Sequence, residues 1–472
     1  MSCLKWNYDR EKMIAETKEA PEWMHFGYGN IFRAFHARLA QSLLNDGHTN
    51  KGIIAVEGFD KEIVTKVSRP FDDVTVVVTF MGDGSVEKEE VASVAESLTF
   101  DDWDRLCEVF KADSLKMITF TITEKGYIVT GDKESYMGKV TALLYERYKA
   151  GKPPIALVSM DNCSRNGDKL KAAVKSFAAA FDDEGFVSYV EQTSFPWSMI
   201  DKITPRPSDE VLRMLKEEGF CNMEPIVTEK NTYIAPFVNG EECEYLVIED
   251  SFPQGHPSIE KCGVIFTSRA QVEKAERLKV TAALNPLHTA LAVLGCTLGY
   301  KKISDEMKDG DLVSLIKGIA SEGLSVVERP DVMDADSFVN DVLTKRLPNP
   351  SLPDTPQRIA TDTSQKVAIR FGETIKAYGD KAKELRFIPI AIAGWLRYLD
   401  SMDDEGKSFE LSPDPMLYEI TKMDKAELLK RKDIFGVDLF SVGLGDKILG
   451  IYNEMKQGSV RKTLQRHMEE YR

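Results

Sequence analysis

The sequence predicts an α/β fold, with a mostly parallel sheet in the N-terminal domain and a mainly α-helical C-terminal domain. In the first half, short runs rich in Val and Ile alternate with helical stretches, which is typical of a parallel sheet covered by helices on both faces. After about residue 266 the pattern becomes long and helical, with no convincing run of strands. At 472 residues the chain is too long for one ordinary core. We therefore expect two domains, residues 1–268 and 269–472.

The predicted elements follow in chain order. Five β-like runs occupy the first half: Glu22–Gly27, Gly52–Phe59, Val74–Met81, Met117–Tyr127 and Pro154–Asn162. The segment 74–92 predicts an antiparallel hairpin with its turn at Gly82–Gly84, and Lys139–Lys149 predicts a helix. In the second domain, Arg269–Tyr300 and the chain from about Pro356 onward are helical in pattern. The segment Pro348–Pro356 between them predicts a rigid loop.

Composition and charge exclude several classes of function. A net charge of −15 argues against nucleic acid as the main partner, although it does not exclude small anionic ligands. The start of the chain lacks the apolar stretch of a secretory signal. The apolar runs Thr289–Tyr300 and Phe387–Leu396 are shorter than the ~20 residues of a membrane helix, so we expect buried core helices. Seven scattered cysteines without a Cys-x-x-Cys pair, and six histidines without ligand spacing, favour a cytoplasmic protein without a metal.

A Gly-x-Gly turn follows the first predicted strand and precedes an amphipathic run. Gly27 and Gly29 lie where backbone N–H groups and a helix N-terminus can meet a pyrophosphate. Phe32 stands where the usual fingerprint has its third glycine. The motif alone has an ordinary alternative, a tight strand-to-helix turn. Its position in the first βα unit favours dinucleotide binding.

Two acids lie at the end of the second predicted strand. Glu57 and Asp60 could accept the hydroxyl groups of an adenosine ribose, and a carboxylate there would repel a 2′-phosphate. This would favour NAD over NADP. Ordinary solvated loop acids are an equal alternative for either residue.

Further motif segments follow along the chain. Each segment by itself has an ordinary structural explanation, such as a turn, a capped loop or a core histidine whose hydrogen bonds are satisfied. Only the order of the segments along the chain makes them specific. The segments are GYGNIFRAFH, ITEKGY, SMDNCSRNG, FPWSMIDKITP, VIEDSF, GVIFT, LNPLHTALA and RIATDTSQK.

Taken together, these segments resemble the polyol-specific long-chain dehydrogenase family, also called the mannitol dehydrogenase family. The resemblance runs from about residue 26 to 366. It implies an expanded Rossmann-type domain followed by a mainly helical domain, with the active site between them, NAD as the cofactor and no metal. The chain would be a monomer or a small homo-oligomer acting on a small sugar acid or polyol.

In that family a lysine takes the proton of the substrate hydroxyl, two asparagines hydrogen-bond the developing alkoxide, and a histidine positions the substrate. The chemistry needs these types, because hydride leaves a carbon readily only when its oxygen becomes anionic. The resemblance assigns catalytic roles to Asn285, His288 and Asn166, with Asn162 as the alternative to Asn166. It assigns substrate contacts to Arg358, Asp201, Asn162 and Lys366, and cofactor contacts to Gly27, Gly29, Asn30, Phe32, Glu57, Asp60 and Thr123.

The lysine departs from the family spacing. The family usually places it five residues before the asparagine, where this chain has Val280, and Lys279 lies six residues before Asn285. At ~100° per residue the two spacings lie on different flanks of a regular helix. A long side chain could reach from the other flank, or a helical irregularity such as a π-bulge could restore the register. We take Lys279 as the candidate base.

The reaction type is better supported by the sequence than the substrate. A hexuronate needs a fixed cation for its carboxylate, and Arg358, Lys366, Lys202 and Arg165 are candidates, each of which could instead be paired structurally. We expect reduction of D-fructuronate to D-mannonate. The alternatives are interconversion of D-fructose and D-mannitol (mannitol 2-dehydrogenase activity), reduction of D-tagaturonate, or a non-catalytic dinucleotide-binding protein.

Overall fold

The fold was examined in a computed structural model that describes residues 6–471. The chain divides into two compact units. Unit 1 comprises the described residues up to Met81 and Ser85–Val272, and unit 2 comprises Gly82–Gly84 and the described residues from Glu273 onward. The helix Arg269–Arg277, in which the division falls, begins at the predicted domain boundary.

The strands found within residues 6–471 lie in unit 1. They are β1 (Trp23–Phe26), β2 (Ile53–Glu57), β3 (Thr75–Phe80), β4 (Val86–Val91), β5 (Val94–Thr99), β6 (Met117–Phe120), β7 (Ala156–Ser159), β8 (Ser198–Asp201), β9 (Ile226–Val227), β10 (Tyr233–Ile234), β11 (Phe237–Glu241), β12 (Tyr245–Glu249) and β13 (Ile265–Thr267). Its α-helices are α1 (Arg10–Glu19), α2 (Ala37–Asn45), α3 (Trp103–Lys111), α4 (Tyr136–Lys149), α5 (Asn166–Ala178), α6 (Glu184–Gln192), α7 (Asp209–Glu217) and the start of α8 (Arg269–Arg277).

Beyond α8, the described part of unit 2 is helical. Its α-helices are α9 (Leu284–Leu298), α10 (Ile303–Glu306), α11 (Gly310–Leu324), α12 (Ala335–Asp341), α13 (Pro356–Ile359), α14 (Glu373–Tyr378), α15 (Phe387–Tyr398), α16 (Leu417–Lys422), α17 (Lys425–Leu429), α18 (Lys432–Phe435), α19 (Gly445–Gln457) and α20 (Val460–Met468). Short 3₁₀ turns lie at Arg69–Phe71, Glu124–Tyr127, Ala179–Phe181, Ile259–Cys262, Thr363–Gln365, Gly379–Glu384 and Glu469–Tyr471. π-Helical segments lie at Phe32–His36, Ile63–Ser68, Leu278–Ala282, Val342–Arg346 and Ala368–Gly372.

The central sheet of unit 1 is parallel, with strand order β5-β2-β1-β6-β7. β1 pairs with β2 on one side and with β6 on the other, so the chain leaves β1 toward one half of the sheet and later returns to the other. In open α/β sheets, ligands bind beyond the carboxyl ends of the strands at such a switch point. The fold therefore places a ligand site at the turn that follows β1.

Alternate residues of the central strands face two separate cores. Met24 and Phe26 of β1 belong to one cluster of buried side chains, whereas Trp23 belongs to the other. Ile54 and Ile53 of β2 divide in the same way. Burying each of these large side chains stabilises the fold by about 2 kcal/mol. The sheet is therefore covered on both faces, as the continuous apolar strands predict.

The predicted hairpin is present and belongs to a different sheet. β3 and β4 pair antiparallel, and β3 also pairs parallel with β11. A second three-stranded sheet has the order β13-β12-β8. These added sheets make unit 1 larger than its five central strands.

α9 and α15 form the core of unit 2, where they pack against each other. Both are almost wholly buried, as their apolar sequences predict. Within residues 6–471, the stretch Arg269–Leu298 meets the length and hydropathy of a membrane span, but 83% of its apolar window is buried inside the protein. Such burial is that of a core helix.

Candidate active site

The turn after β1 has the backbone that a dinucleotide site needs. Gly27 has φ +106°, and a Cβ there would lie 2.2 Å from the carbonyl oxygen of Thr121, so only glycine fits. A Cβ on Gly29 would meet nothing within 4 Å, which leaves open space beside the backbone. The following helix begins at Asn30 and continues through Phe32–His36 into α2. A tight turn, an open approach and a helix N-terminus together suit a pyrophosphate.

Glu57 supports this turn instead of presenting an open carboxylate. Its Oε2 accepts the backbone N–H of Tyr28 at 2.9 Å, and its Oε1 accepts those of Phe59 and Asp60 at 2.8 and 3.0 Å. Burial raises the pKa of Glu57, against the effect of these three donors. A carboxylate has about four acceptor positions, so one remains for a ribose hydroxyl. The contact between Glu57 and the ribose stays a prediction.

Asp60 is buried, and both of its oxygens are engaged within unit 1. Thr228 donates its hydroxyl to Oδ2 at 2.6 Å, and the backbone N–H of Glu62 donates to Oδ1 at 3.3 Å. Phe59, between the two acids, is 63% exposed, and the Lys230 ammonium lies 4.9 Å from its ring centroid. The sequence analysis missed this ring, whose exposure at the end of β2 offers a flat apolar surface to an adenine.

Phe32 does not meet the prediction of a cofactor contact. Its side chain is fully buried, and its ring stacks on that of His25 at 4.2 Å between centroids. It fills the space between helix and strand that the third glycine of the fingerprint usually keeps narrow. Asn30 is partly exposed and accepts a hydrogen bond from Arg33 at 2.8 Å. It lies at the first residue of the helix, where the prediction placed it.

A pocket of about 290 Å³ lies in unit 1, beside the predicted motif segments. A cavity of about 460 Å³ lies apart from these segments, near the C-terminus. The walls of the pocket in unit 1 include Ile31, Thr123, Asn162, Cys163, Lys202 and Thr204. Asp161 fixes one wall, because it accepts the backbone N–H of Thr123 at 2.7 Å and the Tyr127 hydroxyl at 2.5 Å. Thr123 has φ +65°, an uncommon conformation for a β-branched residue, which is held by that bond.

The side chain of Asn166 forms hydrogen bonds within unit 1, and both hydrogens of its amide are engaged. Its side-chain NH₂ donates to the carbonyl oxygens of Asp161 and Ser198 at 3.0 and 2.9 Å and lies 2.9 Å from the Ser198 hydroxyl. Its carbonyl oxygen accepts the N–H groups of Gly167 and Ser198. An NH₂ group has two hydrogens, so the predicted donation from Asn166 to a substrate oxygen requires a correction. Asn162, the alternative, lies on the wall of the pocket.

Asp201 is the last residue of β8, and Lys202 follows it. Asp201 is buried, and its role with the substrate stays a prediction. The Lys202 side chain is 1% exposed, and its ammonium donates to the Glu241 carbonyl and to Glu244. Burial lowers the pKa of Lys202, against the attraction of Glu244. Lys202 is therefore a paired structural cation, and its candidacy for a substrate carboxylate is corrected.

Unit 2 carries the segment of the candidate base. Leu278–Ala282 is π-helical, and the N–H of Ala283 bonds the carbonyl of Leu278, five residues back, at 2.9 Å. A π-turn holds one residue more than an α-turn. The π-turn ends at a break at Ala283 (φ −107°, ψ −108°), which separates it from α9, so the six-residue spacing does not run along one regular helix. The position of Lys279 relative to Asn285 stays a prediction. The irregularity anticipated from the spacing is present, and Lys279 is 4% exposed.

Asn285, His288 and Thr289 share one face of α9, at positions i, i+3 and i+4. His288 is buried, and its Nε2 has no hydrogen bond and lies 3.4 Å from Oδ2 of Asp354. Burial lowers the pKa of His288 to about 4; Asp354 opposes this shift, and the charges of Arg370, Arg358 and Arg346 add to it. His288 is therefore neutral at pH 7.

The three arginines whose charges act on His288 place several cations near this face. Arg358 pairs with Asp354 through a side chain that is 59% exposed. Lys366 donates to the Thr361 carbonyl at 2.6 Å, and burial together with the charge of Arg370 lowers its pKa. The sequence analysis named Arg358 and Lys366 and missed Arg346, Arg370 and Asp354. Arg346 and Arg370 lie in π-helical segments, as Lys279 does.

Within residues 6–471, no group of three or more His, Cys, Asp and Glu side chains is arranged to hold a metal ion. The described residues contain three features that could take part in binding or proton transfer. They are a strand-to-helix turn open to a pyrophosphate, a buried lysine ahead of an asparagine, and a neutral histidine among cations. In unit 1 the turn suits a pyrophosphate. In unit 2 the lysine and the neutral histidine are residue types suited to proton transfer.

The chain belongs to the mannitol dehydrogenase family. Residues 21–261 match the family described as mannitol dehydrogenase Rossmann domain, and residues 271–448 match the mannitol dehydrogenase C-terminal domain.

Among relatives, the chain is 47% identical to D-mannonate oxidoreductase of Thermotoga maritima, over 97% of this chain and 94% of the relative. Among solved structures, it is similar to D-sorbitol dehydrogenase in substrate-free form, with a TM-score of 0.84 and 23% identity over 97% of this chain and 96% of that one. It is also similar to the ternary complex of Pseudomonas fluorescens mannitol 2-dehydrogenase with NAD and D-mannitol, with a TM-score of 0.74 and 23% identity, over 99% of this chain and 96% of that one. The solved structures share the fold, with a Rossmann domain followed by a helical domain.

Proposed function

We propose that this protein is an NAD(H)-dependent oxidoreductase that interconverts D-fructuronate and D-mannonate. The observation that supports the proposal is the π-helix Leu278–Ala282, the kind of helical irregularity that would offset the one-residue departure of Lys279 from the family spacing. The choice of a sugar acid is supported by the 47% identity to a D-mannonate oxidoreductase and by the cations around His288. We further propose that the protein works in the cytoplasm, in hexuronate metabolism.

NAD fits the residues that would hold it. The open space at Gly29 and the helix that begins at Asn30 would receive the pyrophosphate, and Glu57 keeps one acceptor position for the ribose. A carboxylate at that position disfavours the 2′-phosphate of NADP. Bound NAD supplies the acceptor of the hydride.

The residues of the chain supply the proton chemistry. Lys279 takes the proton of the substrate hydroxyl, and a positioned base of this kind contributes about 10²- to 10⁴-fold to the rate. Asn285 and Asn162 donate N–H groups to the oxygen as it becomes anionic, without changing the proton balance. His288 is neutral, so it orients a substrate hydroxyl by hydrogen bonding, and its unpartnered Nε2 is the atom that does so. Asp201 and Arg358 contact the rest of the substrate.

The test is a substrate panel. The protein is mixed with NADH and, separately, with D-fructuronate, D-fructose and D-tagaturonate, and the loss of NADH absorbance is followed before and after exhaustive chelation. We expect the highest kcat/KM with D-fructuronate and no effect of the chelator. A preference for D-fructose would favour mannitol 2-dehydrogenase activity. Binding of NADH without turnover of any of the three would favour a dinucleotide-binding protein and refute the proposal.

A further inference from the structure

Arg370 is held against the face of α9 that carries Asn285 and His288. Its Nη1 donates to the hydroxyl of Thr289, which in turn donates to the Asn285 carbonyl at 2.9 Å. The charge of Arg370 acts on both His288 and Lys366. Its guanidinium is therefore one of the cations near the proposed catalytic face, although it is not among the cations predicted from the sequence.

This guanidinium has no acidic partner in the described part of the chain. Glu373, three residues on, pairs with Lys376 at 2.9 Å and lies 3.7 Å from Arg277. Asp354 pairs with Arg358, and Asp414 accepts from Ser364. Burial lowers the pKa of Arg370 to about 10, with no carboxylate near enough to oppose the shift. A partly buried cation without a counter-ion costs free energy of folding, so an anion that binds there recovers that cost.

The spacing on α9 matches the length of a keto sugar acid. Thr289, whose hydroxyl accepts a hydrogen bond from Arg370, lies four residues, about 6 Å, along the axis from Asn285. In a hexuronate that is a 2-ketose, four C–C bonds of ~1.5 Å separate the ketone carbon from the carboxylate carbon, a span of about 5 Å when extended. A ketone at Asn285 therefore brings the carboxylate to the level of Thr289 and Arg370.

The geometry points to Arg370 as the residue that binds the substrate carboxylate and so selects a keto sugar acid over a neutral ketose. This inference rests on the proposed function. Arginine suits the role because its planar fork can donate two parallel hydrogen bonds to a carboxylate, and one of its nitrogens is already fixed by Thr289. Arg358, whose charge acts on the same histidine, adds to the attraction.

The experiment compares wild type, Arg370→Gln, Arg370→Lys and a control, Lys376→Gln, which removes one exposed cation nearby that is paired with Glu373. For each, kcat and KM are measured with D-fructuronate and with D-fructose, and the melting temperature is measured with and without D-mannonate. We expect kcat/KM of Arg370→Gln to fall about 30-fold for D-fructuronate, mostly through KM, and to change less than about threefold for D-fructose. Arg370→Lys should recover part of the loss, and Lys376→Gln should behave as wild type.

A role in binding the carboxylate and a purely structural role predict different melting temperatures. Because Arg370 lacks a counter-ion, the binding role predicts that Arg370→Gln melts at the wild-type temperature or above it and loses the protection by D-mannonate. A lower melting temperature with equal losses on both substrates, or no loss on either, overturns the inference and leaves the proposed function standing. If wild type turns over D-fructose but not D-fructuronate, the proposed function fails first and the inference fails with it.

Discussion

The order of Lys279 and Val280 allows the π-helix to be tested directly. The first variant exchanges the two residues (Lys279→Val with Val280→Lys), which places a lysine at the spacing usual for the family. The second variant lacks Val280, which removes the extra residue of the π-turn and leaves Lys279 five residues before Asn285. If the π-turn sets the register, the exchange moves the ammonium off the catalytic face, and the shortening keeps it there.

The magnitude follows from helix geometry. Neighbouring residues on a helix differ by ~100°, and with side chains reaching about 6 Å from the axis their ends lie about 9 Å apart. A general base must come within about 3 Å of the proton it takes. The exchanged variant should therefore lose about 10²- to 10⁴-fold in kcat for D-mannonate oxidation. If the extra residue of the π-turn is what offsets the spacing, the shortened variant should stay within about tenfold of wild type.

The assay is formation of NADH from NAD and D-mannonate, with Val280→Ala as the matched control and melting temperatures to show that each variant folds. The reasoning is refuted if the exchanged variant equals wild type. It is also refuted if the shortened variant melts like wild type and yet is inactive.

Three further predictions concern His288, the two asparagines and the two glycines. The pKa of His288 is about 4 in the folded protein, below its ordinary 6.5, so unfolding takes up a proton as the pH falls from about 6.5 through 4. His288 should therefore remove about 3 kcal/mol from the free energy of unfolding between pH 7 and 4. Urea denaturation of His288→Asn should show a smaller loss of stability over this pH range, and an unchanged dependence on pH contradicts the assignment. Asn162→Ala should lower kcat about 100-fold, whereas Asn166→Ala should lower the melting temperature because it removes bonds to buried backbone. A lower kcat at a wild-type melting temperature in Asn166→Ala would restore Asn166 as the donor. Gly27→Ala should lower the free energy of unfolding by a few kcal/mol. Gly29→Ala should fold normally and bind NADH more weakly in a fluorescence titration, and tight binding of NADH by Gly29→Ala would count against the pyrophosphate site.

The sequence predicts the helices and strands well where a single physical rule decides them. The apolar strands Ile53–Glu57 and Ala156–Ser159 are buried on both faces, and their patterns show it. The edge strand Val94–Thr99 was missed because Glu96 and Ser97 interrupt its apolar pattern. Glu96 is tolerated there because it pairs with Arg105 at 3.0 Å, a contact that spacing along the chain does not reveal.

The candidate site is predictable only in part, because hydrogen bonds decide which motif residues are available. The sequence cannot show that the amide of Asn166 is used within unit 1, or that Phe32 is buried against His25. The sequence does not distinguish Arg370 from an arginine paired along a helix, because Glu373 lies three residues on. In the structure Glu373 pairs with Lys376 instead. The unusual lysine spacing did carry a usable signal, and it led to the π-turn.

The central claim is that Lys279 removes the proton from the substrate hydroxyl, and the most direct measurement is the pH dependence of kcat/KM for D-mannonate oxidation by wild type and Lys279→Met. Methionine keeps the length and the apolar stem of the side chain without a base. The account predicts that the wild-type value falls as the pH is lowered and the base becomes protonated. Lys279→Met should be about 10²- to 10⁴-fold less active and should lose that fall. A Lys279→Met variant with wild-type rates and the same pH profile would contradict the account.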